Sequence, residues 1–149
     1  MSDNLSARAV RPLQLICIAL ILGLVLFCTV ALFLSLSGVV QPDAGAELVT
    51  WILLGLSLPQ IMATQVVAGR LLPVGKSDPE SLVARYRTSS IVAWAGLEGA
   101  AFMNIVGLLL SGNLVALIVP GVALCWIAVT FPTADGLDNW LRQRQLEHG

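Results

Sequence analysis

Charge is the scarcest thing in this chain. Asp, Glu, Lys and Arg make up 11% of its 149 residues, against about a quarter in an ordinary soluble domain. A surface so poor in charge faces lipid rather than water. The net charge of −1 leaves no basic field for phosphate, so nucleic acid is excluded as a partner. There is one histidine, His148, at the far end of the chain, and no Ser-His-Asp set, HExxH motif or P-loop accompanies it. No catalytic constellation is expected, and the chain reads as a non-enzyme. The three cysteines, Cys17, Cys28 and Cys125, lie inside apolar stretches with no CxxC and no Cys/His cluster. They read as small core residues, and neither a metal site nor another cofactor is implied.

Long apolar runs take the place of charge, with 57% of the residues hydrophobic. Four runs have the length of transmembrane helices, over about 12–37, 47–69, 88–110 and 114–131. The first is too long for the roughly 7–15-residue core of a secretory leader, and no A-x-A site follows it, so it reads as a retained helix. Residues 1–11 form a polar tail, Pro12 suits a first helical turn, and Gly38 suits a helix end. All eight Lys and Arg residues then fall on one side of the membrane. Arg8 and Arg11 precede the first run. Arg70, Lys76, Arg85 and Arg87 separate the second from the third, and Arg142 and Arg144 follow the fourth. Short loops rich in basic residues stay cytoplasmic, so both termini are expected in the cytoplasm of a multi-pass inner-membrane protein.

The expected fold class is all-α. Four transmembrane helices form two antiparallel hairpins in a single membrane domain over 1–149, with a cytoplasmic loop over 70–87. Ser81 to Arg87 can extend the third helix into the cytoplasm, with Ser77 or Asp78 as its cap. Ser111-Gly112-Asn113 makes a tight external turn. Pro132 ends the fourth helix, and Thr133 caps a short amphipathic helix over about 134–144. Leu137, Trp140 and Leu141 share one face of that helix and anchor it to the membrane interface. A shift of 74 positions aligns Arg11 with Arg85 and Ser37-Gly38 with Ser111-Gly112, as a duplication would; in that alignment Leu24 stands where Glu98 does.

Helix two differs from helix one by its polar residues: Thr50, Ser57, Gln60, Thr64 and Gln65. Polar groups in hydrocarbon turn toward other helices. Pro59 removes a backbone N–H, frees the carbonyl of Gly55 and predicts a kink near the midplane. Pro120, near the middle of helix four, predicts a second.

Glu98 is the main lead to function, because it falls at the centre of helix three. A carboxyl group there costs about 2.5–3.5 kcal/mol on insertion scales. The nine Ile, Val, Leu and Phe residues of that helix offset it at about −0.5 kcal/mol each. Desolvation favours the neutral form, which donates one hydrogen bond and accepts others. A hairpin folded about Asp78-Pro79 brings Gln60 level with Glu98; a turn nearer Ser81 brings Gln65 level. Ala95, Gly96, Gly99, Ala100 and Ala101 leave room for a close contact. Two functions compete. In one, Glu98 binds a proton or cation with Gln60 or Gln65. In the other, the chain is a structural or accessory protein beside a larger membrane partner, and Glu98 is interhelical glue. The expected partners are the lipid bilayer together with further copies of the chain or a larger membrane complex.

The run RYRTSSIVAWAGLEGAAFMNIVGLLLSGN, from Arg85 to Asn113, resembles a family of small uncharacterised bacterial four-helix membrane proteins. The likeness rests on Tyr86-Arg87-Thr88, Leu97-Glu98-Gly99, Ala101-Phe102, Leu109-Leu110-Ser111-Gly112-Asn113 and Pro132-Thr133. It covers about the last two-thirds of the chain and implies the same topology. Leu97-Glu98-Gly99 and Ala101 are also similar to the carboxylate-bearing helix of rotor subunit c of rotary ATP synthases. That likeness covers about thirty residues and implies a proton- or sodium-carrying role for Glu98, with Gln60 or Gln65 beside it. The second helix of such a rotor hairpin is Gly-rich, whereas helix two here has only Gly55 and Gly69.

Overall fold

The computed structural model describes residues 3–40, 45–71 and 79–147. Among them the elements are α1 (Asp3–Leu36), α2 (Ala46–Arg70), α3 (Pro79–Ser111), a 3-10 turn (Leu114–Leu117), α4 (Ile118–Val129) and α5 (Ala134–Glu147). Three helical segments are long and apolar enough to cross a membrane: Val10–Leu36, Ala46–Arg70 and Ser81–Ser111. Leu114–Val129 is apolar but shorter. Its four-residue 3-10 turn and 12-residue α-helix reach about 26 Å, against about 30 Å of bilayer hydrocarbon.

Several boundaries differ from the sequence reading. α1 starts at Asp3, so the expected polar tail is helical from there and Pro12 lies inside the helix. Ala7, Arg8 and Ala9 are good helix formers, and an acid such as Asp3 favours an N-terminal turn. Val10, assigned to the tail, is buried. Ser81 to Arg87 are helical, the extension of helix three into the expected 70–87 loop, and α3 begins two residues earlier still at Pro79, a residue suited to the first helical position. The proposed caps Ser77 and Asp78 lie outside the described residues. α2 continues unbroken through Pro59. Pro120 is in the first turn of α4, just after the 3-10 turn, rather than at a helix middle. There its missing N–H costs little.

The turns follow their residues. Gly112 takes φ +66, a left-handed conformation that glycine adopts without a Cβ clash, and its N–H reaches the Leu108 carbonyl at 2.7 Å. The Asn113 side chain then accepts from the Val115 N–H at 3.0 Å and starts the next element. Thr133 Oγ1 accepts from the Gly136 N–H at 3.1 Å, the expected cap of α5.

α3 is the central helix. It packs against α2, α1 and α4, whereas α1 and α2 make little contact with one another. The first expected hairpin is therefore not a packed unit. The reason lies in the side chains. Thr50, Ser57 and Thr64 recur every seven residues, on one face of α2, and need polar partners. α1 offers almost none, while α3 offers Ser89, Asn104 and Ser111. On its other side α3 joins α1 and α4 in an apolar core that includes Leu13, Cys17, Leu24, Trp94, Leu97, Ala101, Ile105 and Ile127. Cys17 Sγ meets the Ile127 carbonyl at 4.0 Å. Gln14 Nε2 donates to the Pro132 carbonyl at 3.0 Å, and Trp94 Nε1 donates to Thr130 Oγ1 at 3.2 Å. α4 thus runs antiparallel to both α1 and α3. α5 packs against α1. Leu137 is buried within the protein, and Trp140 meets the ring of Tyr86 at 5.3 Å. Two of the three residues expected to anchor α5 to lipid thus pack on the protein's own helices; the side chain of Leu141 lies outside the description.

Candidate functional site

The α2–α3 seam carries the buried polar groups, and its pairs set the register. Thr50 Oγ1 and Ser111 Oγ lie 2.6 Å apart. Ser111 gives its proton to the Gly107 carbonyl at 2.8 Å, so Thr50 is the donor between them. Asn104 Nδ2 donates to Ser57 Oγ and to the Ala100 carbonyl. Ser89 Oγ donates to the Ala68 carbonyl at 2.8 Å. Between these bonds the backbones approach closely at Gly96, where a side chain would overlap Thr64. At Gly99 a Cβ would stand 3.2 Å from Gln60 Nε2.

Two polar atoms of this region are buried without a partner among the described residues: Asn104 Oδ1 and Gln65 Nε2. The first follows from its neighbours. The single proton of Ser57 goes to the Leu53 carbonyl at 2.7 Å, and the Ala100 carbonyl can only accept. Both neighbours of Asn104 demand a donor, so the amide nitrogen faces them and the oxygen is stranded.

Glu98 does not join this seam. Positions 89 and 107, which touch α2, are nine residues away on either side, about 180° around the helix at 3.6 residues per turn. Phe102, one turn further on, shares the face of Glu98 and meets Phe27 of α1 edge to face, with ring centroids 5.1 Å apart. Since α1 and α3 run parallel, Glu98 is level with Gly23, and a Cβ added at Gly23 would meet nothing within 4 Å. Glu98 is half-buried and has no hydrogen-bond partner among the described residues. The expected bond to Gln60 is not made.

The other candidate residues separate in the same way. The seam pairs residues whose numbers sum to about 160, which puts Gln60 near Glu98 in depth but against Gly99. Gln65 lies on the opposite flank of the seam from Gln60, about 140° around α2. Pro59 and Gly55 are both exposed, so the carbonyl freed by Pro59 is on the outer side of α2, away from Glu98. The pairing of Ser57 with Asn104 was not anticipated. The seven-residue spacing of Thr50, Ser57 and Thr64 was the signal for it, but the partner helix could not be read from one strand of the pattern.

No group of three or more His, Cys, Asp or Glu side chains that could hold a metal ion occurs among the described residues. No protein-family model matches the chain, and no curated protein or solved structure matches it. The class that the fold defines is an all-helical protein whose long apolar helices are suited, by length and composition, to a multi-pass place in a membrane.

Proposed function

We propose that the protein is a four-span protein of the inner membrane, with both termini cytoplasmic, that binds a proton or a cation at Glu98. The observation that carries this reading is a half-buried carboxyl group, with no hydrogen bond among the described residues, near the middle of the longest apolar part of α3. A carboxyl kept for interhelical glue would be hydrogen-bonded to a neighbouring helix, and Glu98 bonds neither Gln60 nor Gln65. Intramembrane carboxyl groups that are costly and not used in packing mark ion and proton sites. The likeness of Leu97-Glu98-Gly99 to the rotor carboxylate helix points to the same chemistry.

Dicyclohexylcarbodiimide, which modifies protonated carboxyl groups in membranes, tests the site. Intact membranes should give labelling at Glu98, and Glu98→Gln should abolish it. Absence of labelling in intact membranes would sink the carrier reading and favour the accessory protein.

The topology rests on all eight basic residues lying on one side. Single cysteines at Ser77 and Gln143, in a background without the native cysteines, should react with impermeant reagent only from the cytoplasm. Cysteines at Asp43 and Asn113 should react only from outside. Labelling of Ser77 and Asn113 positions from the same side would overturn the four-span arrangement.

A further inference from the structure

The gap between α1 and α2 leaves part of α3 uncovered along its length. Arg85, Val92, Gly99 and Val106 recur every seven residues and so form one line on α3. Ala95 lies beside that line. Arg85, Ala95 and Val106 are exposed although helices flank α3 on both sides. Phe27 of α1 borders this strip through Phe102, and Gln60 of α2 borders it at Gly99. The floor is therefore a narrow apolar groove, low at Ala95 and Gly99, where side chains are smallest.

The groove has a charged end. The Ala68–Ser89 bond puts Arg70 level with Arg87 across the antiparallel pair. The Phe27–Phe102 contact puts Arg11 level with Tyr86 along the parallel pair. Arg11, Arg70, Arg85 and Arg87 thus share one layer, within about a turn of helix. Arg11, Arg70 and Arg85 are exposed, and none of the four makes an ion pair among the described residues. Arginine matches phosphate oxygens with a planar, multiply donating head. Arginines with no ion pair among the described residues, layered at one end of an apolar groove, match a single molecule with a phosphate head and a hydrocarbon tail.

We propose that this groove is a binding site for an anionic phospholipid. Arg85 and Arg70 hold the headgroup, and one acyl chain lies over Val92, Ala95, Gly99 and Val106, between α1 and α2. The proposal depends on the membrane reading but not on ion binding at Glu98, and its test does not use that residue.

The test is native mass spectrometry of the protein in mild detergent with added phosphatidylglycerol or phosphatidylcholine. Wild type should retain phosphatidylglycerol in preference. Each arginine near an anionic headgroup contributes about fivefold in affinity, so Arg70→Gln/Arg85→Gln should weaken retention about 25-fold. Ala95→Phe and Val106→Phe fill the floor from exposed positions and should each release the lipid with the arginines intact. Equal retention of the two lipids would overturn the choice of an anionic headgroup. Undiminished retention in the double arginine variant would overturn the headgroup site. Undiminished retention in both phenylalanine variants, folded by circular dichroism, would overturn the groove and leave only surface charge.

Discussion

Gly96→Val is expected to destabilise the protein by about 3 kcal/mol, at the upper end of the overpacking range. A Cβ at position 96 would fall on Thr64, overlapping its Cβ, Oγ1 and Cγ2. Thr64 cannot turn aside easily. It is β-branched, so its χ1 is stiff, and its hydroxyl bonds the carbonyls of Gln60 and Ile61 at 3.0 and 2.9 Å. The helices must separate, and the bonds from Asn104 to Ser57 and from Ser89 to Ala68 would stretch with them. Two other glycines supply the contrast. At Gly99 the obstacle is the amide end of Gln60 at 3.2 Å, the far end of a flexible side chain, so Gly99→Ala should cost under about 1 kcal/mol. At Gly55 nothing lies within 4 Å, so Gly55→Ala should be neutral or stabilising by up to about 1 kcal/mol. Unfolding in mixed micelles of rising sodium dodecyl sulfate measures all three. Adding Thr64→Gly to Gly96→Val should recover part of the loss. If Gly96→Val unfolds at the same detergent fraction as Gly55→Ala, the close approach of α2 and α3 is wrong.

Asn104→Asp should cost about 3 kcal/mol, the penalty of an aspartate at membrane depth, while Asn104→Leu should cost under about 1 kcal/mol. The two substitutions differ in what they leave behind. Ser57 and the Ala100 carbonyl both need a donor. An aspartic acid held neutral by desolvation donates one hydrogen bond, and an ionised one donates none. Either form sets a carboxyl oxygen against an acceptor in a site with no solvent exposure. Leucine withdraws the donor but also removes the stranded Oδ1 atom, so one polar deficit replaces another. The same detergent titration distinguishes them, together with the fraction of each variant that inserts. Equal tolerance of Asp and Leu would show that Asn104 is hydrated rather than sealed in the seam.

The apolar runs and the positions of the basic residues were legible in the chain itself. A segment of twenty apolar residues has few alternatives to a helix, because in lipid every backbone polar group must be satisfied within the segment. The turn at Ser111-Gly112-Asn113, the Thr133 cap and the polar face of α2 were equally readable, since each depends on residues within a few positions of one another. The extent of α1 was underestimated, because polarity marks where a membrane ends and not where a helix ends. Depth was also close to right: the seam register of about 160 puts position 98 within two or three residues of Gln60.

Orientation around the helix was decided only by the tertiary structure. Glu98 and Gln60 share a depth, yet Glu98 belongs to the α1 side of α3 and Gln60 to the α2 side. Chain order favoured α1 as the neighbour of α2, whereas Thr50 and Ser57 are bonded by Ser111 and Asn104 of α3. The rotation of a helix depends on the sum of its contacts with all its neighbours, and no single helix carries that sum. Hydrophobicity determined which segments are suited to the membrane; the competition among a few buried hydroxyl and amide groups for partners determined which helices touch and left Glu98 without a partner among the described residues.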